Sequence, residues 1–372
     1  MMKKLHGIIF SYLSNPDLRE LTIHRNTCSL PYGGRYRVVD FMLSSMVNAG
    51  ISDIGMIVHT NYQSLLDHLG SGKDWDLSRK HGGLRILPPF GYAEKKEEGI
   101  YRGRMDALAG VRSYLENIRQ DHVILAGGDL ALNLPIADVY EQHMESGADI
   151  TAVCTSDPKG DTKSVDYFTM DETGRITDLA IRPNAPEGCE SLEIYILSKE
   201  LLLSLVDHCA AHNIPSFSGG VLQPMLDKLK INAYVFDGYA ARLQSVAGYF
   251  ARSMELLDPA VRAQLFTPDR PIRTKDQSNP STYYGPGARA VNSLVADGCI
   301  IEGEVENCIL SRGVRIEKGA KVSNCVLMQG TVVQAGAVLK YAIADKNVRV
   351  NPGRMLMGHS TYPLAISKNE VV

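Results

Sequence analysis

Three groups of residues in this chain have types and spacing suited to chemistry. The first is Asp129, which follows the apolar run His122–Leu125 and the pair Gly127-Gly128, and so places a carboxylate at the end of a buried strand. The second is His24, Arg25, Arg35 and Arg37, beside or within a segment where apolar and basic residues alternate. Together they could form an anion site for a phosphorylated metabolite, or stand as solvated or paired structural residues. The third is the cysteines, seven of them: Cys28, Cys154, Cys189, Cys209, Cys299, Cys308 and Cys325. Their number is odd and no Cys-x-x-Cys pair occurs, so they read as reduced thiols in a cytoplasmic protein with no metal site.

The elements that must carry these residues are legible in the apolar pattern. Short apolar runs at His6–Phe10, Ile54–Val58, His122–Leu125 and Asp149–Cys154 predict strands. Between them Asp40–Asn48, Tyr62–Leu69, Arg104–Ile118 and Ile136–Glu145 predict helices. Strands separated by helices of this length imply βαβ units and a mostly parallel sheet. Such sheets bind ligands at the carboxyl ends of their strands, so chemistry belongs in the loops after Phe10 and Leu125. The chain has 372 residues, enough for two domains, with 44% hydrophobic residues, 22% charged and a formal charge of −3. That balance offers no basic face for nucleic acid. The apolar run at the N-terminus stops at Phe10, too short for a membrane span.

Around Thr274 the texture changes. Residues 258–287, with Pro271, Pro280 and Pro286, read as a linker between a domain over 1–257 and another over 288–372. The second domain is a repeat. Asn292-Ser-Leu-Val-Ala-Asp-Gly298 aligns with Asn307-Cys-Ile-Leu-Ser-Arg-Gly313 and Asn324-Cys-Val-Leu-Met-Gln-Gly330, and Tyr341-Ala-Ile-Ala-Asp-Lys-Asn347 is a fourth copy. Gly319, Gly336 and Gly353 continue the six-residue period. One short strand and one tight corner per hexapeptide predicts a parallel β-helix, with Gly and Asn at corners that need a left-handed backbone.

Residues Pro31-Tyr-Gly-Gly-Arg-Tyr-Arg-Val-Val-Asp-Phe-Met-Leu-Ser-Ser45 resemble the Pro-Phe-Gly-Gly-Lys-Tyr-Arg-x-Ile-Asp-Phe-x-Leu-Ser-Asn signature of glucose-1-phosphate adenylyltransferases. Asp74-Trp75, Gly103-Arg-Met-Asp-Ala107, Ile124-Leu-Ala-Gly-Gly-Asp129 and the terminal repeat follow in that family's order, so the likeness spans nearly the whole chain. It implies an α/β nucleotidyltransferase domain of the GT-A, dinucleotide-fold type, followed by a left-handed parallel β-helix of hexapeptide repeats. It also implies the synthesis of ADP-glucose from ATP and glucose 1-phosphate for bacterial glycogen. The family includes a D-type sister subunit that resembles the catalytic one while lacking parts of its site.

Several positions decide between the two kinds of subunit. The family's glycine-rich phosphate loop reads here Phe10-Ser-Tyr-Leu-Ser-Asn-Pro-Asp17, with Tyr12, Leu13 and Asn15 at its glycines and Asp17 at its arginine. Thr27 stands where a lysine approaches the nucleotide phosphates, and Arg242 where a second aspartate would join Asp129 on Mg²⁺. Of the sugar-phosphate pocket Arg182 and Ser191 remain, while Glu193 replaces a glycine and Gly103-Arg-Met-Asp-Ala107 replaces Gly-Thr-Ala-Asp-Ala. Losing one such electrostatic element costs about 10²–10³ in rate. The reading is therefore a regulatory, catalytically deficient subunit with no cofactor of its own, Mg²⁺ belonging to a catalytic homologue with which it forms a hetero-oligomer, expected to be a tetramer. A small phosphorylated effector is a further expected ligand. Arg242 is expected to pair with Asp129. The alternatives are a divergent but active sugar-phosphate nucleotidyltransferase and, more remotely, a hexapeptide acyltransferase, for which His359 is the one histidine the repeat offers.

Overall fold

The computed structural model describes residues 4–11, 16–88, 101–159 and 165–372. Tyr12, Leu13 and Asn15 lie outside them. Strand β1 (Leu5–Phe10) is buried along its whole length, as a central parallel strand must be. It pairs in parallel with β4 (Asp53–Ile57) on one side and β6 (His122–Gly127) on the other. A two-residue antiparallel pair, β2 (Pro31–Tyr32) and β3 (Tyr36–Arg37), leads into α1 (Val38–Asn48). Asp40 ties that helix start down by accepting the backbone N–H of Arg37 at 2.9 Å. After β4 come α2 (Gln63–Leu69) and the edge strand β5 (Gly83–Leu87).

The stretch expected as one helix over 104–118 is two, α3 (Arg104–Gly110) and α4 (Arg112–Glu116), broken at Val111. Gly110 sits at the break and packs against the Tyr101 ring. After β6 the chain forms β7 (Leu130–Leu132), α5 (Ile136–Ser146) and β8 (Ile150–Thr155), then β9 (Tyr167–Met170) and β10 (Ile176–Ala180). Strand β11 (Cys189–Ser198) runs antiparallel to both β6 and β8, so the parallel core acquires an antiparallel flank. Helix α6 (Lys199–His212) and β12 (Ile231–Val235), parallel to β8, follow. Then β13 (Ala240–Arg242) pairs with β7, and α7 (Val246–Glu255) and α8 (Pro259–Leu265) close the domain. Residues 259–265 are therefore helical rather than linker.

The β-helix begins with the strand Tyr283–Tyr284, also inside the stretch expected as linker. Fifteen short strands form three five-stranded parallel sheets, the three sides of a triangular prism. The corners lie at the repeat's Asn and Gly positions: Asn292, Asn307 and Asn324 have φ of 42°, 50° and 51°, and Gly298, Gly313 and Gly330 have φ of 69–75°. Tyr341 adopts φ 50° at the place its repeat lacks asparagine. Val, Ile, Leu and Cys side chains fill the prism, including Cys299, Cys308 and Cys325. All seven cysteines are free thiols. One side of the prism docks on the first domain, where Ile309, Val326, Met328 and Ile343 join Tyr32, Phe41, Tyr249 and Phe250 in one buried cluster. No helix among the described residues is long and apolar enough to cross a membrane.

Candidate functional site

Asp129 stands at the carboxyl end of β6, beside the end of β1, as a parallel sheet requires of a ligand-facing residue. Gly128 leaves room for the close approach of Cys28 and Ile9 there: a Cβ at that position would lie 3.0 Å from Cys28 Sγ and 3.1 Å from Ile9 Cγ2. Facing Asp129, β13 pairs with β7 and delivers Arg242, whose Nη1 is 3.8 Å from Asp129 Oδ2. The same guanidinium donates to the Ser191 carbonyl at 2.9 Å and lies 3.5 Å from Glu190 Oε1. The expected pairing of Arg242 with Asp129 is thus present in the structure.

A second arginine completes the cluster. Arg104, at the start of α3, donates to the Glu193 carbonyl at 2.7 Å and forms an ion pair with the Glu193 carboxylate. Its guanidinium lies over the Phe10 ring at 5.1 Å and the Tyr195 ring at 5.9 Å. Burial raises the Asp129 and Glu190 carboxyls above the usual range, and Arg242 partly offsets it. Glu193 moves the other way: burial would raise it, but Arg104, Arg242 and Arg182 outweigh burial and hold it low. Sequence reasoning placed Glu193 near this centre but did not find Arg104 as its partner. The substitution of Arg for Thr in Gly103-Arg-Met-Asp-Ala107 was the available signal.

The remaining expected residues are spread around this centre. Ser191 is buried, accepts the Glu193 backbone N–H at 3.1 Å through Oγ, and gives its carbonyl to Arg242. Arg182 is exposed at the rim with φ 45°. Thr27 is buried in the short turn Thr27–Ser29 and its hydroxyl has no hydrogen-bond partner. Asp17 is exposed in the turn Pro16–Thr22. A divalent cation needs oxygen ligands and tolerates no guanidinium among them. With Arg242 fixed between Asp129 and Glu190, the residues present do not fit such an ion.

The arginines expected to bind an anion divide into two sets. Arg25 is corrected: it is 1% exposed, and its Nη2 spans both oxygens of buried Asp345 at 2.8 and 2.9 Å. It joins the two domains and is engaged on both sides. His24 is exposed and does not line the cleft formed nearby. Arg35 and Arg37 do line it, together with Lys275, Arg312, Lys346 and the acidic Asp67. Lys346 is pushed down to about 7 by burial and by Arg37 and Arg25, the mark of a cation held among cations. Sequence reasoning missed Lys275, Arg312 and Lys346. The signal was in the repeat: Asp297, Arg312, Gln329 and Lys346 each precede a corner, so they stack in one column of the prism. His359 is exposed at the far end and hydrogen-bonds Thr361.

A mixed sheet with an aspartate at a central strand end, docked on hexapeptide coils, defines the class. The family described as Nucleotidyl transferase matches residues 16–240, and that described as GlmU-like, C-terminal hexapeptide, matches 282–361. The chain is 37% identical to the glycogen biosynthesis protein GlgD of Bacillus subtilis, over 98% of this chain and 96% of that one. It is 36% identical to GlgD of Geobacillus stearothermophilus, over 87% of this chain and 84% of that one. To the glucose-1-phosphate adenylyltransferase of that same organism it is 32% identical, again over 87% and 84%. The chain belongs to the glucose-1-phosphate adenylyltransferase family, in its GlgD-type branch.

Proposed function

We propose that this chain is a regulatory, catalytically deficient subunit that assembles with a catalytic homologue converting ATP and glucose 1-phosphate to ADP-glucose and pyrophosphate in glycogen biosynthesis. The observation that carries the reading is Arg242. It stands 3.8 Å from Asp129 where a divalent cation would need a second carboxylate, replacing an anion with a cation at the reaction centre. Thr27 in place of a lysine and Asp17 in place of an arginine remove further phosphate-facing charge. Mg²⁺ belongs, on this reading, to the partner's site. The relatives in Geobacillus stearothermophilus support a two-chain arrangement, because that organism holds both a GlgD and an adenylyltransferase similar to this chain. The cleft between the domains, with Arg35, Arg37, Lys275, Arg312 and Lys346 against Asp67, suits a small phosphorylated effector.

The test is co-purification with the catalytic homologue from the same organism, followed by pyrophosphate-release assays of each chain alone and of the pair. The expected result is a hetero-oligomer, no turnover by this chain alone, and altered kinetics of the partner. Robust turnover by this chain alone, the outcome for a divergent active enzyme, overturns the reading. So does failure of the two chains to assemble.

A further inference from the structure

We propose that Lys346 is a modification site: its amine takes up carbon dioxide and forms a carbamate in the cleft between the domains. The inference goes beyond the regulatory reading, because the chemistry needs only this chain and dissolved carbon dioxide.

Lys346 is half-buried in the cleft, one residue before the repeat corner at Asn347, where φ is 59°. Three other cations of the cleft have partners. Arg312 lies 3.2 Å from Asp297, Lys275 donates to the Asp67 carbonyl, and Arg37 donates to Ser64 Oγ at 3.0 Å. Among the described residues the Lys346 amine has neither an ion pair nor a hydrogen bond, and only its backbone N–H is engaged, by Asp345. That carboxylate is already taken, since Arg25 Nη2 meets both its oxygens. Across the cleft, α2 presents Asp67 beside His68, itself kept neutral by burial.

An amine so placed is a poor ammonium. Burial, Arg37, Arg25 and Lys368 all disfavour its charge and Asp345 opposes them, so its pKa falls to about 7. At pH 7.4 that leaves roughly a thousandfold more free amine than an ordinary lysine carries. A desolvated lysine beside other cations is an activated nucleophile. Its product with carbon dioxide is an anion, which the cations that repelled an ammonium now stabilise.

The step balances without an oxidant or reductant. The Nζ lone pair attacks the carbon of carbon dioxide and an N–C bond forms. One C=O electron pair moves onto oxygen, and the nitrogen releases a proton to solvent. A neutral or positive group thereby becomes negative, which weakens the hold of the remaining cations on any other anion in the cleft.

The experiment incubates the purified full chain with carbon-13-labelled bicarbonate at pH 7.4. Carbamates are alkylated in place with a trialkyloxonium salt and located by peptide mass spectrometry, which separates Lys346 from the α-amino group. Label at Lys346 is expected at least about tenfold above that at exposed Lys318. Carbon-13 NMR of the untreated protein should show a carbamate signal that Lys346→Met removes and Lys318→Met leaves. Arg37→Met should lower the occupancy at least about threefold by returning Lys346 toward an ordinary lysine. Label at Lys346 no greater than at Lys318, a full set of carbamate signals in Lys346→Met, or unchanged occupancy in folded Arg37→Met overturns the proposal. The mapping on the wild type decides even where a variant fails to fold. None of these results touches the regulatory reading, which falls only to turnover by the chain alone or to failure of assembly.

Discussion

Replacing Arg25 and Asp345 together should cost this protein less stability than the two single replacements cost in sum. The two side chains are each 1% exposed and meet through two hydrogen bonds, and no water reaches the pair to take over from a lost partner. Opposite charges about 4 Å apart attract by about 4 kcal/mol at an effective dielectric of about 20. Removing one member also strands the other, and the measured cost of breaking such pairs is about 3–5 kcal/mol. Asp345→Asn isolates the charge, because the amide oxygen can still accept the Lys346 N–H that Asp345 Oδ1 now accepts. Arg25→Met keeps most of the volume beside Met328. Each single variant should lose about 3–5 kcal/mol, roughly a hundredfold to several thousandfold in the folding equilibrium. The double variant Arg25→Met/Asp345→Leu should lose less than the sum of the singles by at least about 2 kcal/mol. Urea unfolding followed by Trp75 fluorescence and by far-ultraviolet circular dichroism measures this, since the single tryptophan reports the first domain and dichroism reports both. In the wild type the two signals should change together, and in the single variants they should separate as the domains uncouple. Single losses under about 1 kcal/mol, or an additive double variant, would refute the claim that this pair locks the domains.

Other expectations concern titration and charge. Burial lowers His6 and His143 to about 4, below the 6.5 of an unfolded chain. Between pH 6.5 and 4 the unfolded state thus binds up to two more protons, so stability falls as pH falls, by at most about 1.4 kcal/mol per unit for each histidine. Urea midpoints at pH 7 and pH 5 should drop less in His143→Gln than in the wild type, and an equal drop would count against it. Arg242→Asp, which restores the family's acid, should still release no pyrophosphate from ATP, glucose 1-phosphate and Mg²⁺. It should also cost about 3 kcal/mol or more by leaving Asp129 and Glu190 unpaired. Restored turnover would show that the loop and Thr27 matter little. In the cleft, binding of sulfate, whose charge is constant over this range, should tighten in calorimetry as pH falls through about 7 and Lys346 gains its proton. Lys346→Met should remove that dependence, and an unchanged pH profile would exclude the lysine.

What the sequence disclosed and what it concealed follow from how far each signal reaches along the chain. The β-helix was readable because its determinants are local: Asn or Gly stands at every left-handed corner of the four copies but Tyr341, and the two corners of each copy lie one hexapeptide apart. The buried strands β1, β4, β6 and β8 were readable because a strand covered on both faces is apolar throughout. The break at Val111 was not, because the apolar pattern runs on through it and a lone glycine is a weak stop signal. Arg25 illustrates the harder limit. Its neighbours His24, Arg35 and Arg37 made it look like part of one anion site, yet its partner Asp345 lies in the other domain. The cleft inverts that case, since two of its five cations come from repeat corners and one from the connecting stretch, far from Arg35 and Arg37 in sequence. The column of Asp297, Arg312, Gln329 and Lys346 was nonetheless implicit in the repeat alignment, because residues at equivalent positions of successive coils must stack. A β-helix therefore turns separated side chains into a contiguous charged row, and docking one side of it against a basic loop gathers five cations into one cleft without any new motif.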